Sequence, residues 1–311
     1  MLNEQSDAYG QPTSPVNSGP DAAAPDSTDP RCCPTAFGQR RNSLNCRFVY
    51  AVISQRAHGL SVGVNLNPDK KCNFDCAYCE VERGTVGMEP TVDVSVLAGE
   101  LGWVLEMVHE DRLREVDGFG HLPAELLQLK EVALSGDGEP TLCPNFEEVA
   151  LEVMHLRSTG RFPYFKVVLI TNTSGLDRPE VGRGVELLGC DDEIWVKLDA
   201  GTQAYMDKVN RPDISLERVL ANIVRVGRKR PVVIQSLFPL MHGEEPPAEE
   251  IEEYVQRLKE LKAAGAQIAL VQVYSVHRPP HRTDCEHMPL RSLSLIARRV
   301  REATGLRAEV F

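Results

Sequence analysis

The chain has 311 residues, 42% of them hydrophobic, and 45 acidic against 34 basic residues give it a formal net charge of -11. That length allows two ordinary domains or one large α/β barrel, while the acidic balance lacks the footprint of a nucleic-acid binder, apart from the local basic group Arg40, Arg41 and Arg47. With no apolar run long enough to cross a bilayer and no basic or apolar signal region at the N-terminus, a cytoplasmic protein with reduced thiols and no membrane partner is expected.

The opening segment, through "DAAAPDSTDP", is rich in Pro, Ser, Asp and Ala and has almost no large apolar side chains. It cannot bury enough surface to offset the entropy of ordering, so residues 1–45 are expected to form a disordered tail and residues 46–311 a single folded domain. From about Phe48 onward, short β-rich runs alternate with helical periods. "LSVGVNL" (60–66) predicts a strand, and Val94, Leu97, Leu101, Val104, Leu105 and Val108 then share one helical face. Further strands are predicted at 131–136, 166–172, 193–199, 231–238 and 267–276, with helices near 145–158, from Pro246 and Pro247 through Leu261, and at 290–303. Six βα units whose strands are apolar on both faces predict an α/β fold, an open (β/α)6 partial TIM barrel. The polar stretches "GDGEP", "TNTSG", "KLDAG" and "YSVHRPP" all fall at the C-terminal ends of the strands, where such barrels build active sites.

The loop after the first strand reads "KCNFDCAYCE" (71–80) and places Cys72, Cys76 and Cys79 in a C-x3-C-x2-C spacing. In a reduced compartment, clustered cysteines point to metal binding or catalysis. Structural zinc is normally closed by four ligands, yet neither His58 nor His109 stands at zinc-finger spacing and no second cysteine pair follows. A four-iron, four-sulfur cluster normally takes four cysteines, so three would leave one iron open to a small molecule. Structural zinc or inert thiols remain the alternatives.

This spacing, with an aromatic before the third cysteine and a position after the first strand of a βα series, resembles the radical S-adenosylmethionine (SAM) superfamily. Within it, "GVNLNPDKKCNFDCAYCEVER", "SGDGEPTL", "KLDAG", "NRP" and "YSVHRPP" resemble a group of iron–sulfur oxidoreductases related to the wybutosine-synthesis enzymes of tRNA modification. The resemblance covers residues 48–311. It implies a [4Fe-4S] cluster on Cys72, Cys76 and Cys79, SAM on the open iron, and reductive cleavage to a 5′-deoxyadenosyl radical that abstracts hydrogen from a substrate. It further implies an electron donor such as flavodoxin or ferredoxin. Gly136, Asp137, Gly138, Glu139 and Pro140 are similar to the family's Gly-Gly-Glu-Pro element for the SAM amino group, with Asp137 in place of the second glycine. Tyr78 is implied to lie near the adenine chiefly through its backbone, and Phe74 to shield the cluster.

Thr171 and Asn172 are either SAM contacts or caps of a following helix. Lys197 and Asp199, two apart on a strand, face one side and are either SAM contacts or an ion pair. Arg56, Arg211, His277, Arg278 and His281 are candidates for an anionic substrate or are solvated loop charges. Cys32, Cys33 and Cys46, with Cys285, are candidate ligands of an auxiliary cluster. The alternatives to a radical enzyme on a small molecule or peptide are a non-catalytic metal- or SAM-binding module and tRNA base modification.

Overall fold

The structure is a computed structural model and describes residues 43–83 and 90–311. All but the last three residues of the expected tail lie outside that range, as do Cys32 and Cys33. An antiparallel hairpin, β1 (Val49–Ser54) and β2 (Gly59–Asn65), opens the described domain. Its turn closes through His58 in the left-handed region at φ 57°.

From β2 the sheet continues in parallel through β3 (Leu129–Ser135), β4 (Lys166–Thr171), β5 (Glu193–Lys197), β6 (Val232–Leu237), β8 (Ile268–Tyr274) and β10 (Ala308–Val310). The six predicted strands are all present. The hairpin's first strand and β10 extend the sheet to eight, one at each edge, and neither was predicted. With three residues, β10 is too short to show a period. A separate antiparallel pair, β7 (Leu240–Met241) and β9 (Cys285–Glu286), lies outside the main sheet.

Helices α1 (Val94–His109), α2 (Phe146–Ser158), α3 (Pro179–Glu186), α4 (Gln203–Val209), α5 (Leu216–Gly227), α6 (Ala248–Ala263) and α7 (Leu290–Thr304) follow the strands. Their starts are written locally. Asp93 accepts from the backbone N–H groups of Ser95 and Val96 at the start of α1, Ser215 from Arg218 at α5, and Pro179 opens α3. Gly305, at φ 69°, ends α7. Among the described residues no helix is long and apolar enough to cross a membrane.

Strand alternation divides the side chains between two environments. Val167 and Leu169 of β4 join the large core between sheet and helices, while Val168, Trp195 and Val233, with Ile170 and Leu270, pack as a small cluster inside the barrel. Above it the lumen is polar or open. At Gly63 a Cβ would lie 2.1 Å from Cζ of Tyr50, so the glycine lets that ring cross the sheet face, where its hydroxyl meets Ser135 Oγ at 2.6 Å.

Candidate active site at the barrel mouth

The loop after β2 carries the three cysteines, and the loop after β3 clasps it. The Glu139 N–H donates to the Lys71 carbonyl at 2.9 Å. A Cβ on Gly138 would stand 1.8 Å from that carbonyl oxygen, so glycine is required for the two loops to meet. Glu139 is buried, and its carboxylate accepts from Thr141 N–H (3.0 Å) and hydroxyl (2.6 Å), Asn172 N–H (2.6 Å) and the Thr171 hydroxyl. Burial raises its pKa and these donors oppose the rise. Glu139 thus joins the β3 loop to the end of β4. Asp137 is turned to Asn65, accepting from Nδ2 at 2.9 Å.

Each cysteine sulfur has an N–H donor. The Phe74 backbone reaches Cys72 Sγ at 3.4 Å, Asn210 Nδ2 reaches Cys76 at 3.6 Å, and Arg83 Nη2 reaches Cys79 at 3.4 Å. Asn172 Nδ2 stands 3.8 Å from Cys72 Sγ and donates to Asn73 Oδ1 at 3.0 Å. Burial pushes the Cys76 thiol up to about 12 and raises that of Cys72.

Asp199 lies just past β5 and is buried. It accepts from the Tyr78 hydroxyl, from Asn210 Nδ2 at 2.7 Å and from the Leu237 N–H at 2.8 Å. Asn210 Nδ2 also donates to the Tyr78 hydroxyl at 2.8 Å. The Tyr78 side chain is therefore a pin inside the fold, beyond the backbone role that the resemblance implies. Lys197 Nζ stands 3.7 Å from Asp199, donates to the Tyr274 hydroxyl at 3.3 Å and lies 5.0 Å from the Tyr78 ring centroid. Although burial opposes its charge, the Asp199 carboxylate and Tyr274 raise its pKa.

A cavity of about 360 Å³ lies under these loops and enters the lumen. Of the predicted site residues it is lined by Cys72, Cys76, Tyr78, Cys79, Gly136, Gly138, Glu139, Pro140, Thr171, Asn172 and Lys197, but not by Asp137 or Asp199. Arg56, His277 and Arg278 also line it. Arg211 instead pairs with Asp284. The segment after β8 straps the cysteine loop: His281 N–H donates to the Cys79 carbonyl at 2.8 Å, Arg278 meets Glu80 at 3.3 Å, and Arg282 meets Asp75. Arg83, Asn210 and Glu131 are site residues that sequence reasoning missed. Cys46 has Glu100 beside it, whereas Cys285 sits in β9 beside Asp284 and Arg211.

A parallel part-barrel with three thiols on the C-terminal rim of its lumen is the architecture of a cluster-bearing barrel enzyme. The radical SAM superfamily model matches residues 66–258, and the chain belongs to that superfamily, whose cofactors are a [4Fe-4S] cluster and SAM. A UPF0026 protein of Synechocystis sp. is 28% identical over 178 residues, 56% of this chain. The matches cover 57% and 48% of the first two such relatives, so the chain spans about half their length. A radical SAM methyltransferase from Sphaerobacter thermophilus is similar in fold, with a TM-score of 0.58 at 15% identity over 85% of this chain and 68% of that one. TYW1 with a lysine-pyruvate adduct bound gives 0.50 at 16%, over 82% and 84%.

The donor set fits the cluster. The Cys72 and Cys76 thiols, whose pKa values burial raises, are poor thiolates alone, and bound iron would supply the charge that makes deprotonation favourable. The N–H groups directed at the three sulfurs suit anionic ligands.

Proposed function

We propose that this protein cleaves SAM reductively at a cluster held by Cys72, Cys76 and Cys79 and uses the resulting 5′-deoxyadenosyl radical to take hydrogen from a small molecule or peptide in the barrel lumen. The observation that carries this reading is the continuity of one cavity, which is lined by all three cysteines at the rim and by Trp195 and Glu131 within the barrel. Gly136, Gly138 and Pro140, with Thr171 and Asn172, line the rim on the β3–β4 side and are the proposed SAM contacts. Glu139 supports them by holding Thr171 and the Asn172 backbone in place. Lys197 keeps its positive charge through Asp199 and offers it to a carboxylate in the cavity. Phe74, Leu237 and Val276 supply apolar walls that limit water near the reacting groups. A formal net charge of -11 favours a small molecule or peptide over tRNA, and the electron comes from a donor such as flavodoxin or ferredoxin.

Anaerobic reconstitution with iron and sulfide, followed by reduction and addition of SAM, should give 5′-deoxyadenosine from the wild type and none from Cys76→Ala. SAM should also change the electron paramagnetic resonance signal of the wild-type cluster. A fully loaded cluster that neither cleaves SAM nor responds to it would overturn the reading in favour of a metal-binding module.

A further inference from the structure

The cavity continues below the cofactor loops and is lined there by two charged groups, Glu131 and Arg56. On β3 the residues facing the lumen are Ser135, Ala133 and Glu131, which line the cavity in descending order. At roughly 3.3 Å per residue, Glu131 lies about 13 Å below Ser135 at the strand's end. It is 1% exposed; one carboxylate oxygen accepts from the Ser61 hydroxyl at 3.0 Å, and the other has no hydrogen-bond partner. A buried polar atom left in this state is costly to the fold.

Arg56, from the β1–β2 turn, lines the same cavity and lays its guanidinium over the Tyr274 ring, 4.5 Å from the centroid. Stacking engages the face of the guanidinium and leaves its in-plane N–H groups for a carboxylate. Among the described residues Arg56 forms no ion pair. The neighbouring polar groups are already matched. Gln235 Nε2 donates to Gln272 Oε1 at 3.0 Å, Tyr50 meets Ser135, Lys166 pairs with Glu193 at 2.8 Å, and Trp195 Nε1 donates to Glu193 at 2.7 Å. In this lower part of the cavity Arg56 has no ion pair and the second Glu131 oxygen no hydrogen bond; at the rim, Nε of Arg83 is likewise without a partner.

We propose that the lower half of the cavity is the substrate site and that it takes a zwitterionic, amino-acid-like group, with the carboxylate on Arg56 and an N–H group on Glu131. This rests on the radical SAM reading of the rim, since it places the substrate beneath the cofactor. Burial raises the pKa of Glu131, and the Ser61 hydroxyl, the Lys166 charge and, last, the Arg56 charge oppose the rise, so an incoming cation would favour the carboxylate form.

The test is a thermal-shift titration of the reconstituted, SAM-loaded protein with each of the twenty free L-amino acids. At least one should raise Tm, and the same compound without its carboxylate or without its amine should bind at least tenfold more weakly. Glu131→Gln and Arg56→Gln should each weaken binding at least tenfold; Arg56 lies on a turn, so its variant keeps the test open if the buried one fails to fold. If no amino acid shifts Tm, or if the shift survives unchanged in Arg56→Gln, the proposal is overturned. The readout needs no turnover, so failure to cleave SAM would count against the radical reading alone.

Discussion

Tyr78 carries more of the site than its place in a cysteine loop suggests. Its hydroxyl donates to Asp199 and accepts from Asn210, whose amide also reaches Cys76, so one phenol couples the cluster loop to the end of β5. Tyr78→Phe leaves the buried Asp199 carboxylate without that donor. Hydrogen bonds to charged groups contribute about 1.5–3 kcal/mol, and the variant should lose about that much, read as a lower denaturation midpoint at unchanged m-value. The spacing of Lys197 and Asp199 made their proximity legible, because alternate strand positions share a side. Asn210 and Glu131 were not legible. The "NRP" stretch belongs to the resemblance but assigns its asparagine no role, since Cys76 lies 134 positions away, and a glutamate opening "EVALSG" reads as an ordinary strand end, since its partner Ser61 is 70 positions away.

At the scale of elements, Asp192 shows how one carboxylate joins three. It accepts from both Arg157 terminal nitrogens, at 2.6 and 2.9 Å, from the Val167 N–H at 2.8 Å and from the Gly189 N–H at 2.7 Å. This ties α2 and β4 to the turn before β5. Burial works to raise its pKa, but Arg157 and the two backbone donors outweigh it and leave the folded value below the ordinary one. Its contribution to stability is therefore full above the unfolded value of about 4 and is lost as pH falls through the folded value. In Tm measured from pH 7 to pH 3, Asp192→Asn should start lower and lose less in the acid range than the wild type. The six predicted strands were legible because their apolar runs are continuous, as burial on both faces demands. Helices α3 and α4, of eight and seven residues, are too short to establish a period.

For the whole molecule, the barrel is open between β1 and β10, and side chains span the gap: the His58 and Phe311 rings lie 5.7 Å apart, and Arg56 covers Tyr274. Trp195, packed with Val168 and Val233, fills the lumen beneath the cavity. Removing so large a buried side chain typically costs about 3–5 kcal/mol; Trp195→Ala should show that loss in chemical denaturation. The strap over the cysteine loop has a further consequence, in time. Arg278 and Arg282 lie 198 and 207 positions beyond their partners Glu80 and Asp75. At about 5–20 residues per second, a ribosome needs about 10–40 s to cover that span. For that interval the thiols are made but unroofed, within reach of iron donors and of oxidants alike.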